Sequence, residues 1–86
     1  MEFLRNPTVF FLNSSPKELA VWLKQLLETP LAAEHKQQLR LHLKVAELLE
    51  LATALTPEQR PRLKQKLGRV PAELRELFKF LLSKLG

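Results

Sequence analysis

The chain has 86 residues, the length of a single small domain (residues 1–86) that can bury one modest hydrophobic core. It contains no cysteine, which excludes disulfide bonds, thiolate metal sites and cysteine nucleophiles. The 14 basic and 9 acidic side chains give a net charge of +5, and the hydrophobic fraction of 45% is too high for a disordered chain.

The composition is typical of a helical protein. Leucine, glutamate, lysine, glutamine and alanine are abundant, whereas glycine occurs only twice and tyrosine not at all. We therefore predict an all-α fold, a small bundle of four helices with an extended apolar strap at its N-terminus. No apolar run approaches the ~18 residues of a transmembrane helix, and the first residues make a poor signal peptide. A cytoplasmic location is the expectation.

Residues 1–14 are predicted to form the extended strap. The run Thr8–Leu12 is β-branched and aromatic, which is typical of a strand, but the sequence offers no clear second strand to pair with it. We expect this segment to lie across the helices instead, with Phe3, Phe10 and Phe11 as its apolar anchors.

The first helix is predicted over residues 15–28. Ser15 suits the N-cap, Pro16 the first helical position, and Glu18 completes a capping box. The helix should end near Thr29, because the residue before Pro30 is disfavoured in helical conformation. The following residues share one apolar face: Leu19, Trp22, Leu23, Leu26 and Leu27.

A long second helix is predicted over residues 30–55. After Pro30 this stretch contains no residue that breaks or turns a helix, and the tight connection predicts an antiparallel hairpin with the first helix. Residues 39–45 alternate strictly between apolar and polar, so a half-buried strand is the alternative interpretation. Apolar residues cover most of this helix, which must therefore be covered from several sides.

Two further helices are predicted, over residues 57–67 and 71–85. Thr56 and Gln59 resemble a capping box, Pro61 lies within the first turns, and Gly68 fits the left-handed position that ends a helix. The apolar face of the last helix consists of Leu74, Leu77, Phe78, Leu81, Leu82 and Leu85.

The sequence carries no pattern typical of an enzyme, and no cofactor or metal is expected. His35 and His42 are seven residues apart, hence about 10 Å along a helix, which is too far for one metal ion. We expect each histidine to lie at an apolar edge or on the surface. No nucleophile–base pair or glycine-rich phosphate loop is present.

The positive charge is concentrated in residues 35–69, where eight basic and three acidic side chains give +5. Such a region is either a solvated surface or a contact surface for acidic side chains or phosphates. The candidate contact residues are Lys36, Arg40, Lys44, Arg60, Arg62, Lys64, Lys66 and Arg69.

The sequence is best explained as a non-enzymatic helical interaction module, an adaptor, chaperone-like protein or regulatory subunit with a protein partner. Because the long helix offers more apolar surface than its neighbours can easily cover, we expect a homodimer. The alternative is a small nucleic-acid-associated regulator that binds phosphates through residues 35–69. Attachment to a membrane surface through Phe78, Phe80 and Leu81 is the weakest of the three readings.

Overall fold

The computed structural model describes residues 2–85, and all of the regular structure in that range is helical. The predicted all-α fold is confirmed, but the described chain has six helices rather than four. One of these is a 3₁₀ helix. The helices are α1 (Glu2–Arg5), α2 (Pro7–Asn13), α3 (Pro16–Leu27), α4 (Ala33–Thr53), the 3₁₀ helix (Arg60–Leu67) and α5 (Ala72–Lys84).

The extended strap predicted for residues 1–14 is wrong, because its described part forms α1 and α2. No strand in residues 2–85 is available to pair with it, and a helix satisfies the backbone hydrogen-bonding groups within the segment itself. Asn6, with φ −148° and ψ 67°, separates the two helices, and Pro7 begins α2, where its missing N–H costs nothing. The first residue of the predicted strap, position 1, lies outside the described range.

Aromatic rings attach these N-terminal helices to the rest of the molecule. The ring of Phe3 is buried and meets Phe10, Trp22 and His42 edge-on, at centroid distances of 5.3, 5.6 and 5.2 Å. Phe10 stacks on Trp22, with centroids 5.5 Å apart and an interplanar angle of 9°. Each such pair contributes about 0.5–1.5 kcal/mol beyond its area burial. These contacts tie α1 and α2 to both α3 and α4.

α3 begins as predicted. The Ser15 hydroxyl accepts a hydrogen bond from the Glu18 backbone N–H at 3.2 Å, and Pro16 occupies the first turn. At the other end, the Thr29 hydroxyl donates to the Leu26 carbonyl at 2.6 Å. α3 packs more extensively on α4 than on any other element. Because only five residues connect them, the two helices form the predicted antiparallel hairpin.

α4 is a continuous helix, so the alternative of a strand over residues 39–45 is wrong. It begins at Ala33 rather than at Pro30, since Ala32 is still extended, with ψ 145°. At 1.5 Å per residue its 21 residues span about 31 Å and account for most of the 40 Å long axis of the molecule. The residues buried on its core face are Leu39, His42, Val45, Ala46, Leu49 and Ala52.

The predicted helix over residues 57–67 is a turn followed by the 3₁₀ helix. An α-helix from Pro57 would need an N–H at Pro61, and the ring of Pro61 would clash with the preceding turn. The Arg62 N–H instead bonds the Gln59 carbonyl at 3.2 Å, three residues back. Half of the expected capping box forms, because the Thr56 N–H donates to Gln59 Oε1 at 3.3 Å.

Gly68 ends the 3₁₀ helix with φ 67° and ψ −140°. The positive φ agrees with the prediction, but the ψ value lies outside the left-handed helical region, in a part of conformational space that is essentially restricted to glycine. α5 then follows Pro71 and ends at Lys84, within a residue of the predicted bounds 71–85 at each end. Its core residues are Leu74, Phe78 and Leu81.

Most of the apolar surface of α4 is covered within the chain. α3, the 3₁₀ helix and α5 all pack on it, and Leu41, Leu43 and Leu48 are half-buried at its sides. Leu51, with 41% of its surface exposed, is the exception among its leucines. The uncovered apolar surface of α4 is therefore a small patch around Leu51. Separately, none of the helices described in residues 2–85 has both the length and the apolarity required to cross a bilayer.

His42 is part of the core, not a residue at an apolar edge or on the surface as expected. Only 6% of its surface is exposed, and Nδ1–H donates to the Gln38 carbonyl at 2.7 Å. Burial lowers the pKa of His42, and the hydrogen bond to Gln38 opposes this effect in part. The core thus holds a neutral imidazole whose Nε2 is the unprotonated nitrogen.

We predict that the free energy of unfolding decreases as the pH falls from 7.5 to 5.5. The unfolded chain takes up a proton at His42 near the ordinary pKa of about 6.5, before the folded chain does, so acid favours unfolding. Urea denaturation at pH 7.5, 6.5 and 5.5 measures this slope. His42→Leu should flatten it, because it removes the buried imidazole. Equal slopes for wild type and His42→Leu would contradict the assignment.

Candidate functional site

The eight predicted contact residues lie on two neighbouring elements. Lys36, Arg40 and Lys44 form one stripe along α4, where Arg40 and Lys44 are exposed and Lys36 is half-buried. Four others belong to the 3₁₀ helix, and Arg69 follows it, exposed. The members on the 3₁₀ helix are Arg60, Arg62, Lys64 and Lys66.

The 3₁₀ helix runs back along α4. At one end, Arg60 Nε–H donates to the Ala52 carbonyl at 3.0 Å. At the other end, a methyl group placed on Gly68 would stand 3.3 Å from Lys44 Nζ. Residues 60 and 68 therefore lie opposite residues 52 and 44 of α4. This arrangement brings the α4 stripe and the end of the 3₁₀ helix together at Gly68.

The 3₁₀ geometry divides the basic side chains between two grooves. With three residues per turn, side chains three apart line up, so Lys66 shares a row with Leu63 and Lys64 shares a row with Leu67. The first row faces the C-terminal end of α4, and the second faces α5.

The first groove, here named the leucine groove, has a volume of about 320 Å³. Leu63 at its base is buried, Leu55 is half-buried and Leu51 is exposed. Arg62 and Lys66 stand at its rim, together with Gln59. Among residues 2–85, none of the side chains that line this groove is acidic. The site therefore combines an apolar floor with a positively charged rim.

The second groove, here named the cationic groove, lies between the 3₁₀ helix and α5. Two adjoining cavities of about 350 and 380 Å³ share Lys64 and Lys79 as lining residues. Arg75 lines the cavity at the Gly68 end, and its Nη2–H donates to the Gly68 carbonyl at 3.2 Å. In the described range no acidic side chain lines either cavity, although Glu76 borders the groove and lies 3.4 Å from Lys79 Nζ.

Arg75 and Lys79 are the two contact residues that the sequence did not identify. Four residues apart, they lie on one exposed face of α5, a spacing that is readable from the sequence. Their charge is concealed in a local count, because Glu73 and Glu76 leave residues 70–86 with a net charge of only +1. The close packing of α5 on the 3₁₀ helix, which brings these residues to Lys64, is a tertiary feature.

The basic side chains are largely without ionic partners. The contact of Lys79 with Glu76 is the only ion pair in residues 2–85, and both side chains are mostly exposed. Such a pair contributes little to stability and is easily exchanged for another anion. The charge of the two grooves is therefore available to a ligand.

A larger cavity, about 630 Å³, lies elsewhere, between the N-terminal helices, α4 and the start of α5. His42 lines it, with Arg5, Thr8 and Glu73 as the other side chains that could take part in chemistry. The His42 Nδ1–H is already bonded to the Gln38 carbonyl, and within residues 2–85 no hydroxyl group forms a hydrogen bond with the histidine. This cavity does not contain any of the predicted contact residues.

Two of the three residues that were expected to insert into a membrane are buried. Phe78 and Leu81 are buried in the core, with 0% and 5% of their surface exposed. Phe80 alone is exposed, and Lys84 Nζ lies 5.3 Å from the centre of its ring. A single exposed ring is a small anchor compared with the apolar face that an interfacial helix requires.

Arg60 differs from the other predicted contact residues because it stabilises the fold. Its charged side chain satisfies a carbonyl near the C-terminal end of α4, where a positive charge is favourable. We predict that Arg60→Gln lowers the free energy of unfolding by about 1 kcal/mol. The matched control Arg62→Gln, at an exposed position nearby, should change the free energy of unfolding by less than about 0.5 kcal/mol. Chemical denaturation of both variants measures the difference, and equal values would rule out this role.

No protein-family model matches this chain, and neither the curated proteins nor the solved structures give a significant match. The two grooves and their chemistry are therefore the basis for a functional assignment.

Proposed function

We propose that this protein is a non-enzymatic interaction module that binds an acidic segment of another protein in the leucine groove. The observation that carries the proposal is the combination of a leucine floor with a rim of positive charge formed by Arg62 and Lys66. An adaptor or a regulatory subunit works through such a surface.

The floor supplies the apolar part of the binding energy. Leu51 is 41% exposed, and a partner side chain placed on it would remove that surface from water at about 25 cal/mol per Å². Leu55 and Leu63 shape the base of the groove beside it. A floor of this size accepts two or three apolar side chains, such as those on one face of a short amphipathic helix.

The rim selects the charge of the partner. Arg62 and Lys66 flank the floor, and no acidic residue in the described chain lines the groove with them. Acidic side chains on either side of the partner's apolar face would meet these cations. Complementarity of this kind speeds association and excludes basic or neutral partners. A groove of about 320 Å³ is small, so the complex belongs to the weak, transient class.

Self-association stays a prediction. Its original reason, the uncovered apolar surface of α4, is reduced to the surroundings of Leu51. Other large apolar residues are also exposed, namely Val9, Leu12, Val21, Trp22 and Phe80. A stable dimer would need to bury about 1,000 Å² or more in one continuous interface.

Binding of nucleic acid is the second candidate function. It is favoured by the meeting of two basic sets at Gly68, where the α4 stripe with Lys44 adjoins Arg75 of α5. A backbone of regularly spaced phosphates could follow such a band without reading the bases.

We predict that an acidic amphipathic peptide binds the leucine groove. The probe is an alanine-based helical 18-residue peptide with leucines at i, i+3, i+4 and i+7 and four glutamates flanking that apolar face. In ¹⁵N NMR spectra it should shift the signals of Leu51, Leu55 and residues 59–66. Reversing the rim charge with Arg62→Glu plus Lys66→Glu should weaken binding by about tenfold or more, a loss of at least about 1.4 kcal/mol.

The matched control is Lys17→Glu plus Lys24→Glu, which makes the same change of charge on the exposed side of α3. It should leave the affinity almost unchanged. A peptide with its leucines replaced by glutamine should lose binding, since it lacks the apolar face. Equal weakening by the two charge reversals, or shifts spread over the whole surface, would contradict the proposal.

For the second candidate, we predict that a 20-base-pair DNA duplex binds with a steep dependence on salt. If Lys36, Arg40 and Lys44 each contact one phosphate, an increase in salt from 50 to 200 mM should weaken binding by about 40-fold. Fluorescence anisotropy at the two salt concentrations measures this ratio. Absence of binding at 50 mM would remove the candidate.

A further inference from the structure

We propose that the cationic groove is a binding site for a phosphate group. The site consists of Lys64 on the 3₁₀ helix and of Arg75 and Lys79 on α5, with Lys44 at the Gly68 end. It differs in place and in ligand chemistry from the leucine groove. It would also give the second candidate function one defined phosphate contact.

The groove brings together cations from two elements, the 3₁₀ helix and α5. Lys64 and Lys79 line both of its cavities, and Arg75 lines the cavity beside Gly68. Gln65 adds an amide donor to the same cavity. Its volume of about 380 Å³ is ample for a phosphate group and the first atoms of the molecule that carries it.

Arg75 is held in place before any ligand binds. Its Nη2–H donates to the Gly68 carbonyl at 3.2 Å, which uses one of the five N–H donors of the guanidinium group. The remaining donors keep the planar, forked arrangement that matches two oxygens of a phosphate. A guanidinium that is already oriented loses less conformational freedom on binding.

Gly68 permits this arrangement in two ways. Its conformation, φ 67° and ψ −140°, is open essentially only to glycine, and it directs the carbonyl group that Arg75 binds. A side chain here would also crowd Lys44, whose Nζ would lie 3.3 Å from the added carbon. The glycine therefore allows a cation of α4 and a cation of α5 to approach the same point of the chain.

A phosphate suits this groove better than an acidic protein segment does. Its lining is dominated by cations and amides near Gly68, with Leu67 as the one large apolar side chain in that cavity. A phosphate carries more negative charge than a carboxylate in one compact group and accepts hydrogen bonds on several oxygens. The nearby carboxylate of Glu76 contacts Lys79 at 3.4 Å in an exposed pair, which a phosphate can displace.

Two sources supply this chemistry, a small phosphorylated molecule and the phosphodiester backbone of a nucleic acid. The probes are therefore inorganic phosphate, tripolyphosphate and a 12-nucleotide oligothymidylate, each titrated at constant ionic strength into the ¹⁵N-labelled full chain. We expect saturable shifts of the backbone signals of residues 64–68 and of the Arg75 side chain. Tripolyphosphate binding tighter than the oligonucleotide indicates a small ligand, and the reverse order indicates a nucleic acid.

The variants test the site itself. Arg75→Gln and Lys64→Gln should each weaken binding of the tighter probe by about fivefold or more, and Arg75→Lys should not restore it fully because it lacks the fork. Within residues 2–85 the side chain of Lys64 makes no hydrogen bond, so Lys64→Gln tests the site without loss of a structural contact. Lys17→Gln on α3 is the control for the change of net charge and should have little effect.

The proposal is overturned if none of the probes binds, if the shifts spread evenly over all basic residues, or if Lys17→Gln weakens binding as much as Lys64→Gln does. The leucine-groove variant Arg62→Glu plus Lys66→Glu separates the two proposals. Because its substitutions lie outside the lining of the cationic groove, it should retain the binding of inorganic phosphate and tripolyphosphate while losing that of the acidic peptide. The experiments can therefore reject one of the two proposed sites without rejecting the other.

Discussion

Leu39, Val45, Ala46 and Ala52 on α4 are completely buried, and several neighbouring helices cover them together. α3 covers one side, the 3₁₀ helix and α5 cover the others, and α1 reaches the same face through the contact of Phe3 with His42. Helices of four to 13 residues such as these are marginal in isolation. Their stability therefore comes from packing on α4, and the placement of both grooves follows from that packing.

Proline determines how the basic region is displayed. Pro61 prevents a regular α-helix between residues 57 and 67, and in the 3₁₀ helix that forms instead Lys64 and Lys66 line different grooves. Two residues of one charged segment, separated only by Gln65, thereby have different surroundings, leucines on one side and the cations of α5 on the other. A single basic segment can in this way present two surfaces with different ligand preferences.

Local signals in the sequence were sufficient for much of the fold. The cap at Ser15, the uninterrupted helical stretch of α4 and the apolar face of α5 each depend on residues within a few turns of one another. The N-terminal segment was predicted wrongly as an extended strap because its β-branched and aromatic residues favour extended conformations locally, whereas in the fold it forms two short helices whose aromatic rings pack on α3 and α4. The burial of His42 was missed although its spacing from Leu39, Val45 and Ala46 places it on the core face of α4, whereas its contact with Phe3 is a tertiary feature.

The candidate site was predicted in part. Composition identified the basic region, but it could not separate Arg60, which satisfies a carbonyl of α4, from exposed cations such as Lys64. Arg75 and Lys79 were missed because acidic neighbours mask their charge in any local sum. The end of a helix at Gly68 was predicted, whereas the proximity of Gly68 to Lys44 results from the tertiary fold.

The stacking of Phe10 on Trp22 makes the N-terminal helices optically observable. Trp22 is the only tryptophan and the chain has no tyrosine, so the near-ultraviolet emission of the protein comes essentially from one indole ring. That ring lies against Phe10 of α2 and Phe3 of α1, whereas α5 and the 3₁₀ helix make no aromatic contact with it in the described chain. Intrinsic fluorescence therefore reports locally on whether α1 and α2 are attached to α3, separately from events at either groove.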